Sequence, residues 1–476
     1  MTGMATGGSL GPALFQTLDE EKPIVEALDP ITLSTVWHAF QSLCREMRNM
    51  VARTAQSYLI ATLKDLSVGV WLADGSTVAV PEGLAGQFLG THLAIESIRE
   101  KFKDDLHPGD VILTNDPYHG GHTNHLPDWG FIRPIFYKGE LLFFTLVRGH
   151  QMDTGGSFPG GYFANGYDII AEGLCIQPLK VINRGVEDAN VWALIFNNVR
   201  WPVETRIDCN SMIATSKFAE NRIVQLLERY GKDTVLGAIH QMMDRTERAV
   251  RSEIAAMPDG IYTGEASTDD DGTILDELVT VRLDVTVKGD EIILDFSRSD
   301  AQRPGFVNCI YAATYARAVA STIIFMDPAL ANFHNQGSLR PIKVIAPLGT
   351  VTNARYPATV GASPVNMGGQ VMEAVIDALS KAAGYKTDTA ALNSVMVIRR
   401  GTGGPAQGFR LNVATAIHKA DWSQNPYLEA GDIVFVPKTF IAKVNKFIDE
   451  FFAKTNPVVQ YYLDIYNATN PGVLSR

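Results

Sequence analysis

The segment from Thr114 to Lys180 organises the chain around it and reads TNDPYHGGHTNHLPDWGFIRPIFYKGELLFFTLVRGHQMDTGGSFPGGYFANGYDIIAEGLCIQPLK. Histidine is concentrated within this segment and just before it. Six of the ten histidines of the chain fall between positions 92 and 150, namely His92, His107, His119, His122, His125 and His150. Imidazole is both a metal ligand and a proton carrier near neutral pH, so this concentration of histidine predicts a metal-binding or catalytic site.

Two histidine and aspartate pairs in this segment share one spacing. His125 is followed three residues later by Asp128, and His150 is followed three residues later by Asp153. Between the pairs, apolar residues alternate on both sides of the turn Lys138–Glu140, which predicts a β-hairpin. The pairs lie at matching ends of that hairpin, so we expect them to converge on one divalent cation. Imidazole and carboxylate ligands suit Zn²⁺, Mn²⁺ or Fe²⁺, and an open position would polarise water or a substrate oxygen.

Three more side chains are candidate metal ligands. Cys175 follows the second pair and would shift the preference toward Zn²⁺ as a thiolate. Asp65 lies at the edge of a predicted strand, where a carboxylate is either a ligand or a solvated group. His122 lies in the glycine-rich loop before the first pair. A lone histidine more often packs in a core or on a surface than it binds metal, and that alternative stays open for each of these residues.

Composition limits the class of protein. The chain has 476 residues, of which 46 % are hydrophobic, and this predicts a globular protein of two to three domains. A net charge of −11 argues against a nucleic-acid surface, which needs a basic face. The four cysteines are scattered, and neither a secretory leader nor a long apolar run is present, so we expect reduced thiols, no membrane span and a cytoplasmic location.

The order of predicted elements favours an α+β fold with mixed hairpins and helices. Residues 1–28 form a glycine-rich leader that we expect to be mobile. Residues 29–390 form the main region, with a possible subdivision near 200–260. Residues 391–476 form a tail with short strands and an amphipathic helix over 440–452. Packing on the strands of the tail is the simple interpretation of that helix, and binding to a membrane surface or a partner helix is the alternative.

Motifs for nucleotide binding and for common hydrolases are missing from the sequence. We find no GxxxxGK[ST] loop, no GxGxxG after a strand, no HExxH and no GxSxG. Within this chain a divalent metal therefore has better motif support than a bound nucleotide or a serine triad.

Residues 29–390 resemble the hydantoinase B and oxoprolinase family, which includes the large subunits of acetone and acetophenone carboxylases. The resemblance rests on several motifs in the family order. They are Asp29-Pro-Ile-Thr-Leu33, Asn115-Asp-Pro-Tyr118 with Gly120-Gly121, His125-Leu-Pro-Asp128, Arg148-Gly-His-Gln-Met-Asp-Thr-Gly-Gly156, Glu172-Gly173, Pro258-Asp-Gly260 and Leu339-Arg-Pro-Ile342 with Val344-Ile-Ala-Pro347. The resemblance implies a hydantoinase B type of fold.

The resemblance also implies a function. It implies a Zn or Mn subunit of a hetero-oligomer whose actin-like, hydantoinase A-type partner subunit hydrolyses ATP. The sequence around the second pair, from His150 to Gly156, is more similar to that of the ketone carboxylases than to that of the hydantoinases. This similarity favours ketone carboxylation, in which an activated enolate is joined to CO₂ from bicarbonate. The alternative is ATP-dependent opening of a cyclic amide, as in hydantoinases and oxoprolinases. His150 and Asp153 match the family's metal ligands, and Cys175 stands where we expect a histidine in the acetone enzymes.

The tail resembles a different class of protein. Ser423–Glu429 and Gly431–Lys438 are similar to the β-grasp end of bacterial polysaccharide export proteins. A third interpretation of the whole chain is therefore a fused, non-catalytic scaffold linked to export.

Overall fold

A computed structural model describes residues 28–81, 85–327, 330 and 334–382, together with the strands at 395–399, 407–411 and 433–435. The leader up to residue 27 and the amphipathic helix expected at 440–452 lie outside the described residues. The division into domains stays a prediction.

The first helix, α1, spans Pro30–Thr54 and begins where the sequence predicts it. The Asp29 side chain accepts hydrogen bonds from the backbone N–H groups of Ile31 and Thr32, which a helix start otherwise leaves unpaired. One stripe of the helix is buried against the first strand and two later helices, and it contains Leu33, Val36, Trp37, Phe40, Leu43, Cys44, Met47 and Val51. This packing places the helix over one face of the central sheet.

The remaining helices follow in chain order. They are α2 Tyr58–Ala61, α3 Ala85–Phe88, α4 Thr91–Phe102, α5 Ala189–Phe196, α6 Pro202–Tyr230, α7 Lys232–Ala255, α8 Tyr311–Ile323, α9 Gln336–Leu339 and α10 Met367–Ala382.

A seven-stranded sheet carries the histidine-rich segment. Its strands are β1 Leu66–Leu72, β2 Thr77–Ala79, β3 Val111–Thr114, β4 Asp128–Tyr137, β5 Glu140–His150, β6 Leu179–Asn183 and β7 Val186–Glu187, in the spatial order β2-β1-β5-β4-β3-β6-β7. The predicted hairpin is present as β4 and β5 and is longer than the alternating pattern alone suggests. Its strands begin and end on Asp128 and His150, which places the ends of the hairpin in the site.

A second sheet forms the other half of the molecule. It contains β8 Gly260–Thr268, β9 Val279–Lys288, β10 Glu291–Asp295 and β11 Ile342–Ile345, and β11 runs parallel to β10. Helix α10 packs directly on β8. Gly264 permits that approach, because a Cβ there would lie 2.0 Å from the carbonyl oxygen of Ala374. Helix α8 packs against α10 and completes this layer.

The strands β12 Val395–Arg399, β13 Gln407–Leu411 and β14 Ile433–Phe435 form a small antiparallel sheet in the order β13-β12-β14. The sequence predicts strands at all three places, while the resemblance of the tail to export proteins stays a prediction. Hairpins and helices without a regular βαβ repeat confirm the α+β class. Within the described part of the chain, no helix has both the length and the apolar character needed to cross a bilayer.

Candidate metal centre

Asp128 and His150 face each other across the hairpin. Asp128 is the first residue of β4 and His150 the last of β5, and the two are paired in the strand register. The Nδ1 atom of His150 lies 3.4 Å from Oδ1 of Asp128. Since directly paired residues point to the same face of a sheet, the ladder itself sets this contact.

His125 completes a group of three ligands. Its Nε2 atom lies 3.3 Å from the same Oδ1 of Asp128. The Nδ1 atom of His125 lies 2.8 Å from the carbonyl oxygen of Gly361, so it carries the proton and donates. In the neutral imidazole, the lone pair of Nε2 then faces Asp128, and a hydrogen bond like the one from Nδ1 commonly orients a metal-binding imidazole.

The three side chains fit a divalent cation. The relative exposures are 1 % for His125, 1 % for Asp128 and 7 % for His150, and one ligand atom from each lies within 4.8 Å of the others. Across the described ranges, no other set of three such side chains meets this condition. Two imidazoles and one carboxylate suit Zn²⁺, Mn²⁺ or Fe²⁺ and leave coordination positions for water or substrate.

Asp65 lies beside this group on the neighbouring strand. Its Oδ2 atom is 3.6 Å from Nδ1 of His150, and its side chain is 32 % exposed. The pairing of β1 with β5 brings it there, because Leu66 faces Gly149 and the N–H of His150 donates to the carbonyl oxygen of Asp65 at 3.0 Å. Asp65 is therefore the carboxylate of this group that is most open to solvent.

Gln87, from α3, joins the two carboxylates. Its Nε2 atom donates to Oδ1 of Asp65 at 2.6 Å and to Oδ1 of Asp128 at 3.4 Å. The fully buried Arg148 guanidinium donates from Nη1 to the carbonyl oxygen of Gln87. Sequence reasoning missed Gln87, because its segment carries no ligand spacing and reaches the site only through the tertiary fold.

Electrostatics hold the Asp128 carboxyl in its ionised form. Burial alone would raise its pKa, but His125 and His150 outweigh burial and the pKa is lowered. Burial would likewise lower the pKa of the His125 imidazole, yet Asp128 raises it above 6.5. Burial and the nearby charge of Asp128 both raise the pKa of Asp65. Two acidic groups and two imidazoles thus already interact strongly around the position of a cation.

The structure does not bring Asp153 into this cluster. The chain leaves the strand after His150, and the Asp153 carboxylate is bound by Arg200 instead. One oxygen accepts from the Arg200 guanidinium at 2.6 Å, and the other accepts from the Arg200 backbone N–H at 2.6 Å. With both oxygens occupied, Asp153 has the contacts of a structural anchor for the loop.

His122 and Cys175 also lie apart from the cluster. The His122 Nε2 atom is 3.2 Å from the Ser97 hydroxyl, and burial lowers the pKa of His122 to about 4. The Cys175 thiol donates to Oδ1 of Asp116 at 3.3 Å. Burial, followed by the negative charge of Asp116, raises the pKa of the Cys175 thiol, which disfavours the thiolate that a metal would need.

Tyr162 covers the outer side of the imidazoles. Its ring stacks on His150 at 6.2 Å between centroids and meets His125 edge-on at 5.6 Å. The loop holding it turns at Gly160 and Gly161, both with positive φ. A Cβ on Gly161 would lie 2.7 Å from Cγ of Pro127, between the two ligands of the first pair. The glycine-rich composition predicts a loop here, but it does not predict that the loop covers the imidazoles.

Comparison with known proteins shows the family of this chain. The family model described as Hydantoinase B/oxoprolinase matches residues 29–417. The caprolactamase subunit beta of Pseudomonas jessenii is 32 % identical over 362 residues, which are 75 % of this chain and 60 % of that protein. The chain thus spans about 60 % of the length of this curated relative.

Two solved structures have a similar fold. The crystal structure of the ATP-dependent caprolactamase from Pseudomonas jessenii gives a TM-score of 0.70 at 29 % identity, covering 82 % of this chain and 67 % of that one. The nucleotide-free acetone carboxylase gives a TM-score of 0.69 at 17 % identity, covering 82 % of this chain and 54 % of that one. At that identity, the second likeness concerns the fold alone.

Proposed function

The chain belongs to the hydantoinase B/oxoprolinase family, and on that premise we propose that it is the metal-bearing subunit of an ATP-dependent enzyme that hydrolyses a cyclic amide. The buried group of His125, Asp128 and His150 carries this proposal, because it offers three convergent ligands. The relative named as a caprolactamase subunit favours amide opening over the ketone carboxylation that the motifs first suggest. Carboxylation remains the second candidate, and the motif around the second histidine and aspartate pair supports it.

His125, Asp128 and His150 would hold the ion. A bound Zn²⁺ or Mn²⁺ supplies Lewis acidity that polarises a carbonyl oxygen and acidifies water. Asp65 and Gln87 then have separate roles beside the ion. Asp65 is one-third exposed beside His150 and would accept a hydrogen bond from the attacking water. Gln87 keeps the carboxylates of Asp65 and Asp128 in place.

Amide hydrolysis of an unstrained ring needs activation, and in this proposal ATP supplies it on an actin-like, hydantoinase A-type partner subunit. The sequence of this chain has no nucleotide-binding motif, which agrees with the binding of ATP by another subunit. The substrate is then activated at one subunit and hydrolysed at the metal centre of the other. The assembly is accordingly a hetero-oligomer.

The test measures metal and activity together. Elemental analysis of the purified chain should find one Zn or Mn per chain, and His125→Ala or Asp128→Asn should remove it. With the partner subunit and ATP, the complex should open a hydantoin, a lactam or 5-oxoproline. Incorporation of labelled bicarbonate into acetone or acetophenone would support carboxylation instead. Absence of both metal and partner would support the interpretation as a non-catalytic scaffold.

A further inference from the structure

Glu172 is a fully buried carboxyl group that the mechanism above does not use. Its Oε1 atom accepts three hydrogen bonds from one short segment. The donors are the hydroxyl of Thr359, the backbone N–H of Val360 at 2.8 Å and the backbone N–H of Gly361 at 2.9 Å. We propose that Glu172 is a positioning residue for the metal ligand His125 and acts through the carbonyl group of Gly361. This inference rests on the proposed function, because it assigns a role at the same metal centre.

Two successive hydrogen bonds join Glu172 to His125. The N–H of Gly361 donates to the Glu172 carboxyl group, and the carbonyl oxygen of Gly361 accepts from Nδ1 of His125 at 2.8 Å. The acceptor of its second N–H group commonly sets the orientation of a metal-binding imidazole. A shift of this carbonyl group would therefore turn the ring and move Nε2, which lies 3.3 Å from Oδ1 of Asp128.

The position of the Gly361 carbonyl group depends on backbone contacts, because Gly361 has no side chain to hold it. A Cβ there would lie 2.7 Å from the carbonyl oxygen of Gly161 and 2.7 Å from the ring of Phe306. Close packing thus excludes a side chain at this residue. The hydrogen bonds to Glu172 supply the restraint that a side chain would otherwise give.

The residues after Asp153 hold Glu172 itself in place. The hydroxyl of Thr154 donates to the carbonyl oxygen of Glu172 at 3.0 Å, and the carbonyl oxygen of Thr154 accepts from the N–H of Leu174 at 2.8 Å. A Cβ on Gly156 would lie 2.3 Å from the carbonyl group of Glu172, so the two backbones pack directly against each other. Thr154 and Gly156 of the second motif therefore support Glu172 and, through it, the first histidine of the site.

The arrangement of Glu172 is costly for a simple anchor. Its Oε2 atom is buried and has no hydrogen-bond partner in the part of the chain that the structure describes. Burial raises the pKa of Glu172, while the hydrogen bonds from the 359–361 segment act against that rise. A buried polar atom without a partner costs free energy, and costly buried carboxyl groups are concentrated at functional sites. An anchor would affect stability alone, whereas a positioning residue would also affect His125 and the metal.

The first test observes His125 in the metal-free protein. Selective ¹⁵N labelling of histidine in the full chain gives an Nδ1–H signal for His125, which His125→Ala identifies by its loss. We expect this proton to exchange with solvent at least tenfold faster in Glu172→Leu than in wild type, because leucine has a similar size but no acceptor. Glu172→Gln keeps an acceptor oxygen and should keep most of the protection.

The second test measures Zn²⁺ affinity by competition with a chelator. Glu172→Leu should lower this affinity by about 10-fold to 100-fold, and Glu172→Gln should restore most of it. Tyr118→Phe is the matched control, because it removes the hydrogen bond of 2.7 Å from the Tyr118 hydroxyl to the carbonyl oxygen of Ala358, in the same segment. It should lower stability but leave proton exchange and Zn²⁺ affinity as in wild type.

The possible outcomes separate the two roles. Wild-type exchange and Zn²⁺ affinity in Glu172→Leu, or an equal loss of both in Tyr118→Phe, would overturn the assignment and leave Glu172 as an anchor. If Glu172→Leu fails to fold, Thr359→Val decides, since it removes one donor to the same oxygen and should change both properties at least threefold. A wild type that does not bind Zn²⁺ would refute the proposed function, while proton exchange in the metal-free protein would still decide the role of Glu172.

Discussion

Arg200 holds Asp153 through two contacts of 2.6 Å, one from its guanidinium and one from its backbone N–H. Asp153 is fully buried, and His150 lies three residues before it. The second histidine and aspartate pair is therefore divided between two tasks. His150 faces the cluster, and Asp153 fixes the chain that leaves it.

This division predicts different results for two carboxylate variants. Asp128→Asn should remove the stoichiometric metal, because it removes a charged ligand. Asp153→Asn should keep the metal but lower the free energy of unfolding by on the order of 1–3 kcal/mol, since it breaks buried charged hydrogen bonds. Elemental analysis and denaturant unfolding measure the two effects. Loss of metal from Asp153→Asn at unchanged stability would contradict the assignment.

Gln87 should matter to the metal although it does not bind it. Gln87→Leu removes the donor that joins Asp65 to Asp128 and leaves a side chain of similar size. We expect metal affinity to fall by about 10-fold to 100-fold, as for other residues that orient ligands. Competition with a chelator of known affinity measures this change. Gln370→Leu, on α10, is the control and should bind metal like wild type.

The pH dependence follows from His125 and Asp128. The pKa of His125 is raised above 6.5, mainly by Asp128 against the effect of burial, and the pKa of Asp128 is lowered below 3.8. In the metal-free protein, the contribution of His125 to the free energy of unfolding is complete below pH 6.5 and is lost as pH rises through its raised pKa. The contribution of Asp128 is present above pH 3.8 and is lost as pH falls through its lowered pKa. Both contributions therefore stabilise the metal-free fold between pH 3.8 and pH 6.5.

Metal binding should show the opposite trend near neutrality. A ligating imidazole must be neutral, so protons compete with the ion at His125. The increase in melting temperature on adding Zn²⁺ or Mn²⁺ should therefore grow between about pH 6 and pH 8.5. Thermal unfolding with metal and with chelator at each pH measures it. A metal-induced increase that stays constant over that range would argue against His125 as a ligand.

The loop that carries Tyr162 depends on the absence of a side chain at Gly161. Gly161 has φ of +70°, and a Cβ there would meet Pro127 at 2.7 Å. Gly161→Ala should therefore displace the Tyr162 ring from the imidazoles and lower affinity for substrate, while metal content is kept. The quenching of tyrosine fluorescence and the KM of the complex report these changes. Gly139→Ala, at the open hairpin turn, controls for loss of a glycine with positive φ.

Local patterns in the sequence were sufficient to predict the elements that hold the site. Alternation around residues 138–140 predicts the hairpin, and Asp29-Pro30 predicts the start of α1. The shared spacing of the two histidine and aspartate pairs also predicts that both pairs converge on one cation. That expectation fails for Asp153, because a three-residue spacing fixes direction only within regular structure, and the strand ends at His150. Asp153 is then free to pair with Arg200, which is distant in sequence.

Long-range pairing supplies what local patterns omit. Asp65 reaches His150 because β1 pairs with β5, and Gln87 reaches both carboxylates from a short helix. Neither of these residues has a spacing that relates it to the histidines. A single sequence without the fold therefore identifies ligands more readily than the residues that support them.

The length of the central hairpin separates its two ends. Strand β4 has ten residues from Asp128 to Tyr137, and a strand of this length spans roughly 30 Å. The turn at Lys138 and Gly139 is exposed, and a side chain added at Gly139 would meet no atom within 4 Å. A fluorophore or a surface tether attached there would leave the group of His125, Asp128 and His150 untouched. Immobilised protein of this kind would allow the proposed partner subunits to be captured and counted while the candidate metal centre at the far end stays accessible.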